Sequence, residues 1–164
     1  MKKLFIALML CCGLCYARHE LDIYMIIAQM EVESHGDWSV VSHKGCIGMM
    51  QILPSTAMDY GIPLYYLDHP VIGMDAGIVI MQDLWSRFVV TNRDSRPRFV
   101  TNSSDVRRNI LRIETWELAL SAYNCGYSRT LKALQLGRRW QYGVPLETRH
   151  YIRKVLNRYY GRIR

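Results

Sequence analysis

The chain lacks any apolar run approaching the ~20 residues that a membrane-spanning helix requires; its N-terminal run, Leu4 to Leu14, is well short of that. Beyond that run it has no glycine-rich phosphate loop, no Gly-x-Ser-x-Gly elbow and no His, Cys or Asp cluster at metal-ligand spacing. Nucleotide, serine-hydrolase and metal-dependent chemistry are thus without a basis in the sequence, and neither a metal nor a cofactor is expected. No long-period repeat or low-complexity tract is present. Acidic residues are few, 14 against 21 lysines and arginines, for a formal charge of +7. With 164 residues, 50% of them apolar, the chain suits one globular domain with a sizeable core and little room for a second.

The N-terminus carries Met1-Lys2-Lys3, the apolar run, then Cys15-Tyr16-Ala17. Charge, hydrophobic stretch and small residue follow in the order of a secretory signal. Residues 1–17 are therefore expected to be a cleaved signal peptide and 18–164 the mature domain, in a periplasmic or secreted location. Loss of Lys2 and Lys3 reduces the charge from +7 to +5, and loss of Cys11, Cys12 and Cys15 leaves Cys46 and Cys125. Outside the cytoplasm that pair is either a disulfide or two separate buried thiols, and the sequence does not choose. Basic residues gather towards the C-terminus, where Arg129, Lys132, Arg138, Arg139, Arg149, Arg153, Lys154, Arg158, Arg162 and Arg164 face Glu147 as their one counter-charge. Such a field suits anionic envelope polymers or peripheral contact with phospholipid head groups better than nucleic acid. A solvated helix face is the plainer account of the same run.

Helix dominates the pattern. Ile23, Ile26, Ile27 and Met30 recur at helical spacing over Leu21 to Glu33, with termination at Ser34-His35-Gly36. Pro54-Ser55-Thr56 opens a short second helix ended by Gly61. Ile72, Ala76, Val79, Ile80 and Leu84 form a third stripe, Ser104-Asp105 caps a fourth segment towards Tyr123, and a last helix opens at Pro145 and runs through Tyr159, with Gly161 past its end. Between Arg87 and Asn102 the near-repeats RFVVTN and RFVTN flank a turn-like stretch, which predicts either a short β-hairpin or a long loop insertion.

Two carboxylates, Glu31 and Glu33, end an unusually apolar helix. A carboxyl there is partly withdrawn from water, which disfavours its charged form and suits acid catalysis. At ~100° per residue the two lie on opposite flanks of the Ile23/Ile27/Met30 stripe, so periodicity leaves them level.

From Glu33 the chain reads ESHGDWSVVSHKGCIGMMQILPSTA. This resembles the first two motifs of the lytic transglycosylases related to goose-type lysozyme: Glu-Ser, a Ser-containing loop, Gly-x-x-Gly-Leu-Met-Gln, then Pro-x-Thr-Ala. Ser34, Ser42, Gly45, Gly48, Met50, Gln51, Pro54, Thr56 and Ala57 fall in register without a gap. A third motif follows as Ala122-Tyr123-Asn124-Cys125-Gly126 and a fourth as Glu147-Thr148-Arg149-His150-Tyr151. The four occur in family order over nearly the whole mature chain. Met49 replaces the usual Leu, a swap that conserves volume. Cys46 and Cys125 stand where small residues are usual, and the third helix keeps only Ala76-Gly77 of its family pattern.

The resemblance implies a mainly α, lysozyme-like fold, peptidoglycan glycan strands as substrate and Glu33 as the catalytic residue. It further implies that Ser34, Met50, Gln51, Tyr123, Asn124 and Tyr151 line the substrate cleft; Trp38, Trp85, Trp116 and Trp140 are read, apart from the resemblance, as packing residues. Glycoside cleavage ordinarily needs two carboxylates; the motifs supply one, which implies the substrate-assisted route to a 1,6-anhydromuramic end. A hydrolytic muramidase and a non-catalytic peptidoglycan-binding scaffold are the competing readings. A small domain of this kind also suits an envelope-spanning secretion or conjugation complex as partner, wall turnover, or a phage function.

Overall fold

The computed structural model describes residues 22–94 and 104–163. The expected signal at 1–17 lies outside the described residues, as do residues 95–102 of the RFVVTN/RFVTN segment. The helices are α1 (Ile23–Ser34), α2 (Pro54–Asp59), α3 (Pro70–Asp94), α4 (Ser104–Cys125), α5 (Tyr127–Leu134) and α6 (Leu146–Arg162), with 3-10 turns at Leu64–Tyr66 and Gly137–Gly143. Among the described residues the extended pairing consists of isolated bridges, Val41 with Ile47 and Ile47 with Ile52. The mainly helical expectation thus holds, and no described helix is long and apolar enough to cross a membrane.

Two local expectations need correction. Arg87 to Asp94 is not the first arm of a hairpin but the end of α3. The α3 stripe continues from Ala76, Ile80 and Leu84 to Phe88, all buried, so helical burial outweighs the β-branched residues that follow. Gly161 lies inside the last turn of α6, which runs to Arg162. At the end of α1 two consecutive residues take positive φ, His35 at 58°, with its N–H on the Glu31 carbonyl at 3.2 Å, and then the expected glycine, Gly36, at 84°. Helix α5 and the Gly137–Gly143 turn carry no anticipated signal.

Burial explains the architecture. Met25, Ile26 and Ala28 of α1, Met50 and Ile52 of the loop after it, Ile80, Met81 and Phe88 of α3, Trp116, Ala119 and Leu120 of α4, and Ile152 and Val155 of α6 form one core. Helix α4 is central, packing on α3, α5 and α6, while α6 also packs along α1. Asp22 fixes the start of α1 twice: one carboxylate oxygen accepts from the Tyr24 N–H at 3.0 Å, and the other accepts from the Tyr159 hydroxyl of α6 at 2.7 Å. Trp85, Trp116 and Trp140 pack inside as expected, whereas Trp38 does not, being 47% exposed.

The loop over residues 40–52 is held by close backbone approach. Gly48 has φ +77°, and a Cβ there would lie 1.9 Å from the Leu67 carbonyl oxygen. Gly77 leaves the space that the Met50 side chain fills; a Cβ would come within 2.4 Å of it. Replacing Gly48 by alanine is expected to cost about 3 kcal/mol or more, because strain and overlap with a backbone oxygen coincide. Gly45→Ala, at φ +78° with nothing within 4 Å, is expected to cost only about 1–2 kcal/mol. Thermal unfolding of the two variants checks this, and equal losses would refute the contact with Leu67 as the constraint.

Candidate active site

Glu33 is the penultimate residue of α1 and sits where α1 meets α6 and the 40–52 loop. Its Oε1 accepts a 2.6 Å hydrogen bond from the Tyr151 hydroxyl, 118 positions away in sequence. Burial raises the Glu33 carboxyl from its ordinary value of 4.5 to about 7, against the smaller lowering effect of the Tyr151 bond. Desolvation disfavours the carboxylate, and a donor on the carboxylate restores part of that stability.

The neighbouring carboxylate has a different environment. Glu31 pairs with Arg162 at the end of α6, so its charge is neutralised near the surface. The structure thus separates the two residues that helical periodicity leaves level: one is withdrawn from water beneath a phenol, the other tied into an ion pair.

Of the phenols around Glu33, Tyr151 is buried and Tyr123 partly so. Tyr151 is held well above the usual tyrosine range, first by burial and then by the Glu33 charge; a contact from the Gln29 amide acts in the opposite direction. Tyr123, from the end of α4, is likewise raised, by burial and then by Glu33. Both therefore act as neutral O–H donors. Tyr151 donates to Glu33, and Tyr123 donates to the Met50 carbonyl at 2.7 Å.

The remaining expected cleft residues divide. Ser34 is buried; its hydroxyl donates to the Met49 carbonyl at 2.8 Å and accepts from the Gly36 N–H at 3.1 Å. The Met50 side chain is fully buried against Gly77. Both side chains fasten the loop, Ser34 to the end of α1 and Met50 against α3. Gln51 sits at φ 49°, and its amide nitrogen donates to the carbonyls of Val40 at 3.1 Å and Gly48 at 2.9 Å. Asn124 is exposed, with its side-chain oxygen accepting from the Thr148 hydroxyl at 2.8 Å. That bond joins the end of α4 to the start of α6, while Lys44 of the loop pairs with Glu147 of α6 at 3.0 Å.

Cys46 and Cys125 are separate free thiols, each half-buried rather than buried. Cys125 points instead into the junction of α4 and α5, with its sulfur 3.7 Å from the Thr130 hydroxyl and 3.8 Å from that of Ser121.

One residue at the site escapes the motif-based expectation. Gln29 lies four positions before Glu33, on the same face of α1, and is fully buried with neither amide atom in a regular hydrogen bond. An unsatisfied buried amide costs about 1–3 kcal/mol. The available signal was a glutamine inside the otherwise apolar IYMIIAQM stretch, one turn from the acid.

Among known proteins, the family model described as the transglycosylase SLT domain matches residues 16–140. No curated protein and no solved structure matches the chain. The matched span includes Glu33, Ser34, Met50, Gln51, Tyr123 and Asn124 and ends before Tyr151, which only folding brings onto Glu33.

The raised carboxyl makes stability depend on pH. Protonated Glu33 favours the folded state, and this contribution is lost as pH rises from 4.5 through about 7. Glu33→Gln removes the cost of a buried charge, so it is expected to match wild type below pH ~4 and to exceed it by about 3 kcal/mol above pH ~8. Denaturant unfolding at the two pH values tests this; parallel behaviour of wild type and variant would contradict the burial of the carboxyl.

Proposed function

The chain belongs to the family of transglycosylase SLT domains, whose activity is peptidoglycan lytic transglycosylation, and we propose that it cleaves the β-1,4 bond between N-acetylmuramic acid and N-acetylglucosamine with Glu33 as acid and then base. The observation that carries this reading is the Glu33 carboxyl beneath Tyr151, with its pKa raised to about 7. A group poised near neutrality can both give and take a proton.

In the first step Glu33 protonates the glycosidic oxygen, the bond from that oxygen to C1 of the muramic residue breaks, and the 2-acetamido carbonyl supports the developing cation. The Tyr151 hydroxyl then stabilises the new carboxylate, since a hydrogen bond to the charged form favours it. In the second step the C6 hydroxyl of the same sugar closes on C1 and its proton returns to Glu33. The acid is regenerated, and the product is a 1,6-anhydromuramic end formed without water.

The sequence of the loop favours this route over hydrolysis. Residues 38–52 contain no Asp or Glu, so the wall facing the end of α1 supplies no second carboxylate to activate water. Asp37, just before it, is exposed and accepts from Ser39. The signal-like order of residues 1–17 supports export to the compartment where the substrate lies, and the exposed basic face of α6, with Arg153, Lys154 and Arg158, supports attraction to an anionic envelope surface.

Digestion of purified peptidoglycan with mass analysis of the products tests the proposal. Glu33→Gln is expected to lower glycan release by on the order of a thousandfold, and Glu31→Gln to leave it near wild type. Wild-type products are expected to be lighter than hydrolysed ends by one water. Hydrated ends would replace the mechanism by a muramidase one, and intact release by Glu33→Gln would remove the residue from its role.

A further inference from the structure

Gln29 is a buried polar group beside the acid that nothing in the family motifs assigns. It projects from α1 one turn before Glu33, and residues four apart on a helix share a face. Both therefore face α6, the helix that packs along α1 and carries Tyr151. The side chain is fully buried, so no part of it is open to a glycan strand.

A buried glutamine with no structural hydrogen bond is an expensive filler, since an apolar residue of the same shape would occupy the space without desolvating an amide. Its polar neighbour is the Tyr151 hydroxyl, whose ionisation the Gln29 amide favours. The contact falls short of a regular hydrogen bond, as is common for catalytic networks in the empty enzyme, which tighten once charge develops.

We propose that Gln29 is a positioning residue: its buried amide, one turn before Glu33 and beside the Tyr151 hydroxyl, aims the phenolic O–H at the carboxylate. The idea rests on Glu33 being the acid. When Glu33 loses its proton, its carboxylate draws on the Tyr151 hydrogen, the phenolic oxygen becomes the better acceptor, and the Gln29 N–H follows it. Such a chain strengthens each bond in turn. The relay ends at Gln29, which touches neither substrate nor reacting atoms. The titratable groups gathered around it are Glu33 of α1, Tyr151 of α6 and Tyr123 of α4, with Cys46 and Tyr60 in electrostatic reach of Tyr123.

Gln29→Met, an unbranched apolar replacement, tests the relay in the Tyr151 and Tyr151→Phe backgrounds. With Tyr151 present it is expected to lower kcat about tenfold with little change in KM, and to move both the Glu33 limb of the pH profile and the Glu33 carboxyl titration, read by carbon NMR, upward. In the Tyr151→Phe background Gln29→Met is expected to add nothing further. Unchanged titration in the single variant, or an equal effect in both backgrounds, would overturn the proposal. If Gln29→Met does not fold, wild-type protein still decides: a nuclear Overhauser contact between the Gln29 amide protons and the Tyr151 hydroxyl is expected, and its absence rejects the arrangement. The titration and the Overhauser contact do not require glycan cleavage. A wild-type protein that shows both but releases no glycan therefore fails the proposed function and not the placement of Gln29.

Discussion

A carboxyl that exchanges protons near neutral pH has to be withdrawn from water without being sealed off from the surface. Glu33 is withdrawn by burial and keeps one polar partner in the Tyr151 hydroxyl, and much of the described structure serves that contact. The two residues come from the first and last described helices, so the site exists only when α6 lies along α1. The Asp22–Tyr159 bond fixes the start of α1 against α6 as the Glu33–Tyr151 bond fixes its end. The Glu31–Arg162 pair adds a further tie between the same helices. Helix α4, packed against α6, brings Tyr123 to the site as a second neutral donor.

The loop over residues 40–52 is the other wall, and its physical character differs from what its motif suggests. Ser34, Met50 and Gln51 read as residues that meet the sugar. In the structure they make the loop: the Ser34 hydroxyl holds the Met49 carbonyl, Tyr123 holds the Met50 carbonyl, and Gln51 turns back on the carbonyls of Val40 and Gly48. A loop with so little regular pairing leaves backbone carbonyls to be satisfied individually, and these side chains satisfy them. The left-handed turn at Gly48 and the bare face of Gly77 let the loop lie directly against the core. The motif residues thus have a structural part in the loop, holding its carbonyls in place.

Much of this was legible in the residues alone. The apolar spacing of α1, α3 and α6 gave the helical class because burial on one face imposes a 3.6-residue period whatever the partner. The ordered motifs gave the family, and the raised carboxyl followed from an acid ending an apolar helix. Local chemistry of that kind is written in neighbouring residues. The RFVVTN segment misled for the same reason, since its β-branched residues state a local preference that the buried Phe88 stripe overrides.

What only the tertiary structure decided are the pairings across long sequence distances. Glu31 and Glu33 are level by periodicity and the motif order points to Glu33, but the different surroundings of the two depend on Arg162 and Tyr151, more than a hundred residues away. Cys46 and Cys125 are an even pair by count, and only the packing of α4 on α5 sends the Cys125 thiol towards Ser121 and Thr130. Gln29 is one polar residue in an apolar helix until α6 places a phenol beside it. Helical phase fixes the direction of a side chain from its own helix; which group it meets depends on how helices pack, and packing is a property of the whole core.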